Sequence, residues 1–521
     1  MIDAGDGAAN RIPGVLESVL RKHVRIWCED GELRYKAPRG VLTPEEVEGL
    51  RAFKSEIVSW LEKSKAFESG VGSSTVTMRL CNRAPLAHSQ MAHWRLYGLI
   101  ERPSLRQVAS LMSLRGVLLL TALRLAVTEL ARRHDALRTR VVVVDGIPMQ
   151  EVTSSVQCEL EIHDLSAWPD GSPQRDLSNV TRRHILEPIN VSRDSLAAIR
   201  LFKMSAEEHL LLIAMEHMIS DEFSLGILCR ELQLIYAANV NHCPSVLGPV
   251  PVQFAEYALW QQRSHESWLA KHGPYWRERM NGCQRVRFPA QANTRALSSG
   301  WTAIPIVINV ELKNQLRDWC KIRRTTLVMS VLTAYVALVL RWCSASQMVI
   351  QYQIDGRIDA KLEDTVGYLS SALSLRVELR RDDTFIDLLR RLTQEFCNAS
   401  EHADASYLEA QEPRPEYTRN TGFNWVPLRV PTELPEPRGS VHALTWSSVH
   451  FQHPMLPQLQ RDNEPMVRFM DTEEDVLGEL QFPLSRFSAG FMECFGRNVL
   501  LFLRALILRS EQCVGDLPLV N

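Results

Sequence analysis

The chain has 521 residues, 45% of them hydrophobic and 23% charged, which suits a folded protein with two or three cores and excludes large-scale disorder. A net charge of -2 excludes the basic surface of a general nucleic-acid binder. Eleven cysteines with no Cys-x-x-Cys pair read as reduced thiols in a cytoplasmic setting, the N-terminus has no basic-then-apolar leader, and the longest uncharged run, between Arg324 and Arg341, falls short of the ~20 apolar residues of a membrane helix.

Residues 1–65 read as a small α+β unit. A helix is expected over 14–23, then strands at 24–28 and 32–36, because Asp30-Gly31 between alternating segments is a strong hairpin signal. Thr43-Pro44-Glu45-Glu46 then opens a helix with a cap, a proline in the first turn and acids at the positive end of the dipole. Arg25, Arg34, Lys36 and Arg39 give the hairpin a basic character, which suits either a docking edge for an acidic partner or a solvated edge that resists aggregation. Residues 66–77, rich in Gly and Ser, read as a flexible linker.

Residues 78–250 form a first lobe. RGVLLL (115–120) reads as a strand, TALRLAVTELARRH (121–134) as a helix and RTRVVVV (138–144) as a strand, an alternation that implies layered α/β packing. His134 and Asp135, among Arg133 and Arg138 at a helix end, read as structural. The stretch LLLIAMEHMISDEFSLGIL (210–228) runs from an apolar strand through a tight loop to a helix capped by Ser220-Asp221. It leaves His217 and Asp221 in or beside the loop, and a histidine there is the chain's general-base candidate, since it titrates near neutral pH.

Residues 251–521 form a second lobe. A tryptophan-bearing helix spans 253–280, followed by a strand at 303–310, a helix around 312–321, a buried helix at 326–340 and a strand at 348–354. No phosphate loop, zinc spacing or dinucleotide fingerprint is present, so no bound metal or cofactor is expected.

Several stretches fall in a telling order. Residues 215–224, MEHMISDEFS, resemble the active-site motif His-His-x-x-x-Asp-Gly of nonribosomal peptide synthetase condensation domains. LAHSQMAHWRL (86–96), RHDALRTR (133–140) and YALWQ (257–261) resemble further motifs of that family, as do Asp355-Gly356-Arg357, Val366-Gly367-Tyr368 and, more weakly, His402-Ala403-Asp404. The resemblance implies two chloramphenicol-acetyltransferase-like lobes in a V-shaped arrangement, with His217 as the catalytic histidine. Asp221 is implied to be structural through an arginine, with Arg295 the candidate by rough alignment. Two positions depart from the pattern: Glu216 replaces the first histidine, and Glu222 replaces the glycine that leaves room for the donor's pantetheine arm. Glu222 either enters that channel or turns away from it, pointing to solvent or pairing with an arginine, and the second arrangement is expected.

Residues 12–65 resemble the β-hairpin docking domain of the tubulysin-synthetase type, which implies that Arg25, Arg34, Tyr35 and Lys36 receive the acidic C-terminal tail of an upstream carrier-bearing protein. The whole then reads as a condensation-type acyltransferase joining a carrier-bound acyl thioester to an amine or alcohol. The phosphopantetheine arm would come from the carrier, and the acceptor would be a small molecule or carrier-bound; nucleic acid and membrane are not expected partners. The alternative is a recruitment module that keeps the fold without turnover, and a third reading is a carrier-independent acyltransferase.

Overall fold

The structure is a computed structural model. It describes residues 25–29, 32–36, 54, 82–155, except 101–103, and 158–169, 176–283, 285–289, 301–357, 359–403, 421–427, 444–449 and 464–519. The expected helix at 14–23 lies outside these residues, as does the one expected from 43 onward apart from residue 54. The expected hairpin does form: β1 (Arg25–Glu29) pairs antiparallel with β2 (Glu32–Lys36), with Arg25 opposite Lys36 and Trp27 opposite Arg34.

The remaining strands are β3 (Arg83–Pro85), β4 (Ser104–Arg115), β5 (Thr139–Val144), β6 (Ile147–Val152), β7 (Leu160–Asp164), β8 (Pro188–Ile189), β9 (Ala197–Lys203), β10 (Glu208–Glu216), β11 (Trp301–Ile308), β12 (Gln347–Ile354), β13 (Ser371–Glu378), β14 (Gly422–Pro427), β15 (Thr445–Ser448), β16 (Met466–Asp471) and β17 (Val476–Pro483). The helices are α1 (His88–Ile100), α2 (Leu120–Arg133), α3 (Leu177–Ile185), α4 (Glu222–Val240), α5 (Phe254–Arg279), α6 (Val310–Arg323), α7 (Leu327–Trp342), α8 (Phe385–Ser400) and α9 (Ala489–Leu508).

One sheet is ordered β15-β4-β10-β9-β7, with β8 also on β4, and a second is ordered β11-β17-β16-β14-β12-β13. β10 is central to the first and is apolar on both faces, which explains its unbroken apolar run. Leu211, Ile213 and Met215 pack toward α2 and α4, while Leu212 and Ala214 pack with Phe202 and with Val180 and Ile185 of α3. β15 joins this first sheet by pairing antiparallel with β4, so a segment from the last hundred residues of the chain completes a sheet built from the first half.

The strand expected at 115–120 lies earlier, at 104–115. Gly116 has a φ of 116°, which ends the strand, and its N–H is held by the Glu207 carbonyl at 2.8 Å. Leu118 and Leu119, apolar enough to suggest a strand, instead pack against the core as the lead into α2.

In the second lobe the longest uncharged stretch becomes α7, buried from Met329 to Leu340 within a core shared with α8, α9 and the sheet. No single helix among the described residues is long and apolar enough to cross a membrane. The sheet's inner face carries Ile350, Phe423, Phe469 and Leu480, and its opposite face carries Gln353, Asn424, Arg468 and Glu479. A Cβ on Gly478 of β17 would sit 2.5 Å from the Phe469 ring and 2.7 Å from the Ile306 carbonyl of the adjoining strand. Gly478→Ala is therefore expected to destabilise the protein by about 1–3 kcal/mol through overpacking, read as a lowered denaturation midpoint.

Candidate active site

Glu216 ends β10 just after a register shift against β4 and turns the chain into a single 3₁₀ turn, His217–Ile219. The Glu216 carboxylate caps that turn by accepting from the Met218 N–H. Ser220 returns to an extended conformation, and its carbonyl accepts from His217 Nδ1 at 2.8 Å. Because a carbonyl can only accept, the Nδ1 proton is fixed there and neutral His217 keeps its basic lone pair on Nε2. The ring is half-buried and packs against Tyr368, with centroids 4.2 Å apart, and His93 of α1, at 5.6 Å.

Asp221 is the cap of α4: its Oδ1 accepts from the Ser224 N–H at 2.8 Å and hydroxyl at 2.7 Å, and a full capping box forms. Its Oδ2 accepts from the backbone N–H groups of Leu369 at 3.1 Å and Ser370 at 2.9 Å. Its charge partner is Arg357, whose guanidinium donates to both carboxylate oxygens at 3.1 Å. Arg295, the arginine the alignment favoured, lies outside the described residues, and Arg357 fills the role it was expected to fill. Arg357 comes from the Asp-Gly-Arg stretch, where Gly356 has a φ of 73° and a Cβ would lie 1.9 Å from the Leu369 carbonyl. Only glycine lets the chain double back there and aim the guanidinium at Asp221. Arg357 also donates to Asp355 Oδ1 and, at 2.8 Å, to the Thr365 carbonyl.

Asp221 and Arg357 are both 1% exposed at the side chain. Burial alone pushes the Asp221 carboxyl up, but Arg357 and the Ser224 hydrogen bonds outweigh it and hold it below the usual carboxylate range. Burial pushes the Arg357 guanidinium down and Asp221 more than reverses that.

Glu222, the neighbour of Asp221, reaches the second sheet: Arg468 of β16 donates to it at 2.8 Å and Asn424 of β14 lies 3.5 Å away. It is thus paired with an arginine, one of the two arrangements expected of it, with the Glu222 side chain 27% and Arg468 13% exposed. The opening-motif helix braces the same loop, since Gln90 Nε2 donates to the Met218 carbonyl at 2.7 Å and Ser89 donates to the Tyr368 carbonyl at 2.7 Å. The Arg133 and His134 cluster is structural as expected: both pair with the buried Glu231 of α4, at 2.6 Å and 2.7 Å. No group of three or more potential metal ligands occurs among the described residues.

Sequence reasoning singled out His217, Asp221, Glu216 and Glu222, and the structure brings all four to one loop. It did not find Arg357, His93 or Arg468 as site residues. Arg357 carried a usable signal in the glycine before it, whereas Arg468 has no local signature and meets Glu222 only through the fold.

Arg357→Ala would leave Asp221 buried without its counter-charge, and an expected loss of about 3–5 kcal/mol at neutral pH follows. Because the folded-state pKa of Asp221 is depressed, the pair's contribution is complete above the ordinary carboxylate pKa of about 3.9 and fades as pH falls through the depressed value. In the variant, a lone buried Asp221 takes up a proton more readily, so its deficit relative to wild type shrinks on acidification; denaturation at neutral and acid pH measures both.

Residues 81–421 match the condensation domain family, and residues 13–63 match the TubC N-terminal docking domain. A linear gramicidin synthase polypeptide of Brevibacillus parabrevis is 24% identical over 455 residues, covering 84% of this chain and 9% of that protein. The phosphinothricin tripeptide synthetase PhsC of Streptomyces viridochromogenes is 29% identical over 331 residues, covering 62% of this chain and 30% of that protein. The chain therefore spans only a minor part of these curated relatives. Among solved structures, the X-domain from teicoplanin biosynthesis superposes with a TM-score of 0.68 at 19% identity, covering 84% of this chain and 98% of that one. The first condensation domain of the calcium-dependent antibiotic synthetase does so with a TM-score of 0.68 at 15% identity, covering 84% and 99%. With residues 81–421, well over half of its length, matched to the family's model, this chain belongs to the condensation domain family.

Proposed function

We propose that the chain is an acyltransferase that joins an acyl thioester, carried on the phosphopantetheine arm of a partner carrier protein, to an amine or alcohol. The observation that carries this reading is the fixed tautomer of His217, whose Nδ1–H is committed to Ser220 while Nε2 keeps the basic lone pair. The acceptor's N or O attacks the thioester carbonyl as Nε2 takes its proton; the C–S bond breaks, and the proton passes to the departing thiolate. Asp221 takes no part in the chemistry and holds the loop through Arg357. The setting is cytoplasmic on this reading, in keeping with eleven scattered cysteines that form no Cys-x-x-Cys pair.

A recruitment module is the second reading, favoured by the likeness to an X-domain. Mass spectrometry of an acylated cognate carrier incubated with candidate acceptors separates the two. Wild type is expected to turn over, His217→Ala to lose roughly 10²-fold or more while staying folded, and Glu222→Gly to change the rate modestly. An inert wild type beside an active Glu222→Gly would establish the recruitment module instead.

The carrier is delivered, on this reading, by its acidic C-terminal tail adding to the hairpin strand that holds Arg34, Tyr35 and Lys36, with Arg25 on the strand opposite. Charge pairing at an exposed edge is screened over about 8 Å at physiological ionic strength, so affinity is expected to fall as salt rises. Calorimetry with Arg34→Glu/Lys36→Glu checks this; unchanged affinity would make the basic residues a solvated edge only.

A further inference from the structure

The first position of the histidine motif carries a carboxylate with no exposed surface. Glu216 is 0% exposed, and burying a carboxylate is costly unless its oxygens are engaged. One of its oxygens accepts from the Met218 N–H, and the other lies 3.7 Å from Nε2 of His93. His93 is itself only 7% exposed, and burial, then the nearby His217, lowers its pKa to about 3, so it is neutral at pH 7. The neutral His93 ring is packed beside that carboxylate and beside the His217 ring, with the two imidazole centroids 5.6 Å apart.

Two residues one turn apart on α1 thus reach the same short turn. Gln90 holds the Met218 carbonyl at 2.7 Å, while His93 faces the carboxylate that holds the Met218 N–H. The peptide groups on both sides of Met218 are gripped, and the Ser220 hydroxyl closes the turn by donating to the Glu216 carbonyl at 3.3 Å. His217 is the residue immediately before Met218, and its Nδ1 bond to Ser220 depends on that turn being closed.

We propose that Glu216 and His93 are positioning residues that lock the turn carrying His217, so that its proton stays on Nδ1 and its basic nitrogen is Nε2. In this chain a carboxylate at the first motif position and a histidine on the opening-motif helix do this work together. The proposal rests on His217 being the base, yet its physical content is a tautomer, which is measurable whether or not the protein turns over.

The test is ¹H–¹⁵N correlation of histidine-labelled full-length protein at a pH where His217 is neutral, with the two resonances assigned by His217→Ala and His93→Ala. Wild type is expected to show His217 as a single Nδ1–H tautomer. In Glu216→Ala, and in His93→Ala, His217 is expected to become a mixture of tautomers. Glu216→Gln keeps a carbonyl oxygen for the Met218 N–H, so His217 should stay Nδ1–H. With a working acyl carrier, kcat should fall on the order of 10²-fold in Glu216→Ala with KM nearly unchanged, and Glu216→Gln should restore it. A single Nδ1–H tautomer in folded Glu216→Ala overturns the proposal. If Glu216→Ala does not fold, a mixed His217 tautomer in Glu216→Gln overturns it equally, because the cap would then not be what sets the proton. An inert wild type with the expected tautomers leaves the positioning intact and removes only the acyltransferase reading.

Discussion

The site depends on one buried ion pair. Asp221 and Arg357 lie 136 residues apart in sequence, and each is fully withdrawn from water, so their mutual attraction must offset two large desolvation penalties. It does so because no lone pair or N–H of importance is left over: Asp221 also receives three backbone N–H groups and the Ser224 hydroxyl, and Arg357 also reaches Asp355 and the Thr365 carbonyl. Two apolar residues of the same volume would hold the loops together about as well, but they would not fix orientation. The pair supplies geometry: it makes the cap of α4 and the 355–370 loop a single unit, and the turn with His217 hangs from that cap.

From this anchor the ties between the two halves grade outward. Ser224 shares the interior by accepting from the Gly367 N–H at 3.0 Å. Glu222 and Arg468 are partly wetted, and Arg230 with Asp364, at 2.6 Å, is more exposed still. Exposed pairs are worth under about 1 kcal/mol, so resistance to separation is concentrated near Asp221 and weakens toward solvent. β15 adds a tie of another kind. It satisfies the edge of β4 with backbone hydrogen bonds contributed from late in the chain, and so covers an edge that would otherwise be open to another strand.

Much of this was readable in the residues because it is local. The apolar run at 210–215 demands a strand buried on both faces, and Ser220-Asp221 before a helical pattern demands a cap; both formed where the spacing put them. RGVLLL misled for an equally local reason: its apolar content fits a strand, but the positive φ of Gly116 turns the chain, and the leucines serve the core from a loop. The partner of Asp221 could not be fixed by composition, since any arginine satisfies its charge. Geometry decides, and the decisive residue is Gly356, which admits the backbone fold that Arg357 needs. Arg468 and β15 were invisible because nothing in their own neighbourhoods reports contact with the first half of the chain.

The two acids of the motif show how one residue type can serve different ends through its surroundings. Glu216 is fully buried, and its oxygens are taken up by a backbone N–H and the neighbourhood of His93, so it acts through shape on the turn beside it. Glu222 starts α4, where the helix dipole favours an acid, and its charge is matched by Arg468, which stands opposite Glu479 on the adjacent strand. A carboxylate bound to a guanidinium projects little net field, so Glu222, held by Arg468 across to the second sheet, acts as a tie between the start of α4 and β16, while Glu216 acts on the turn next to it.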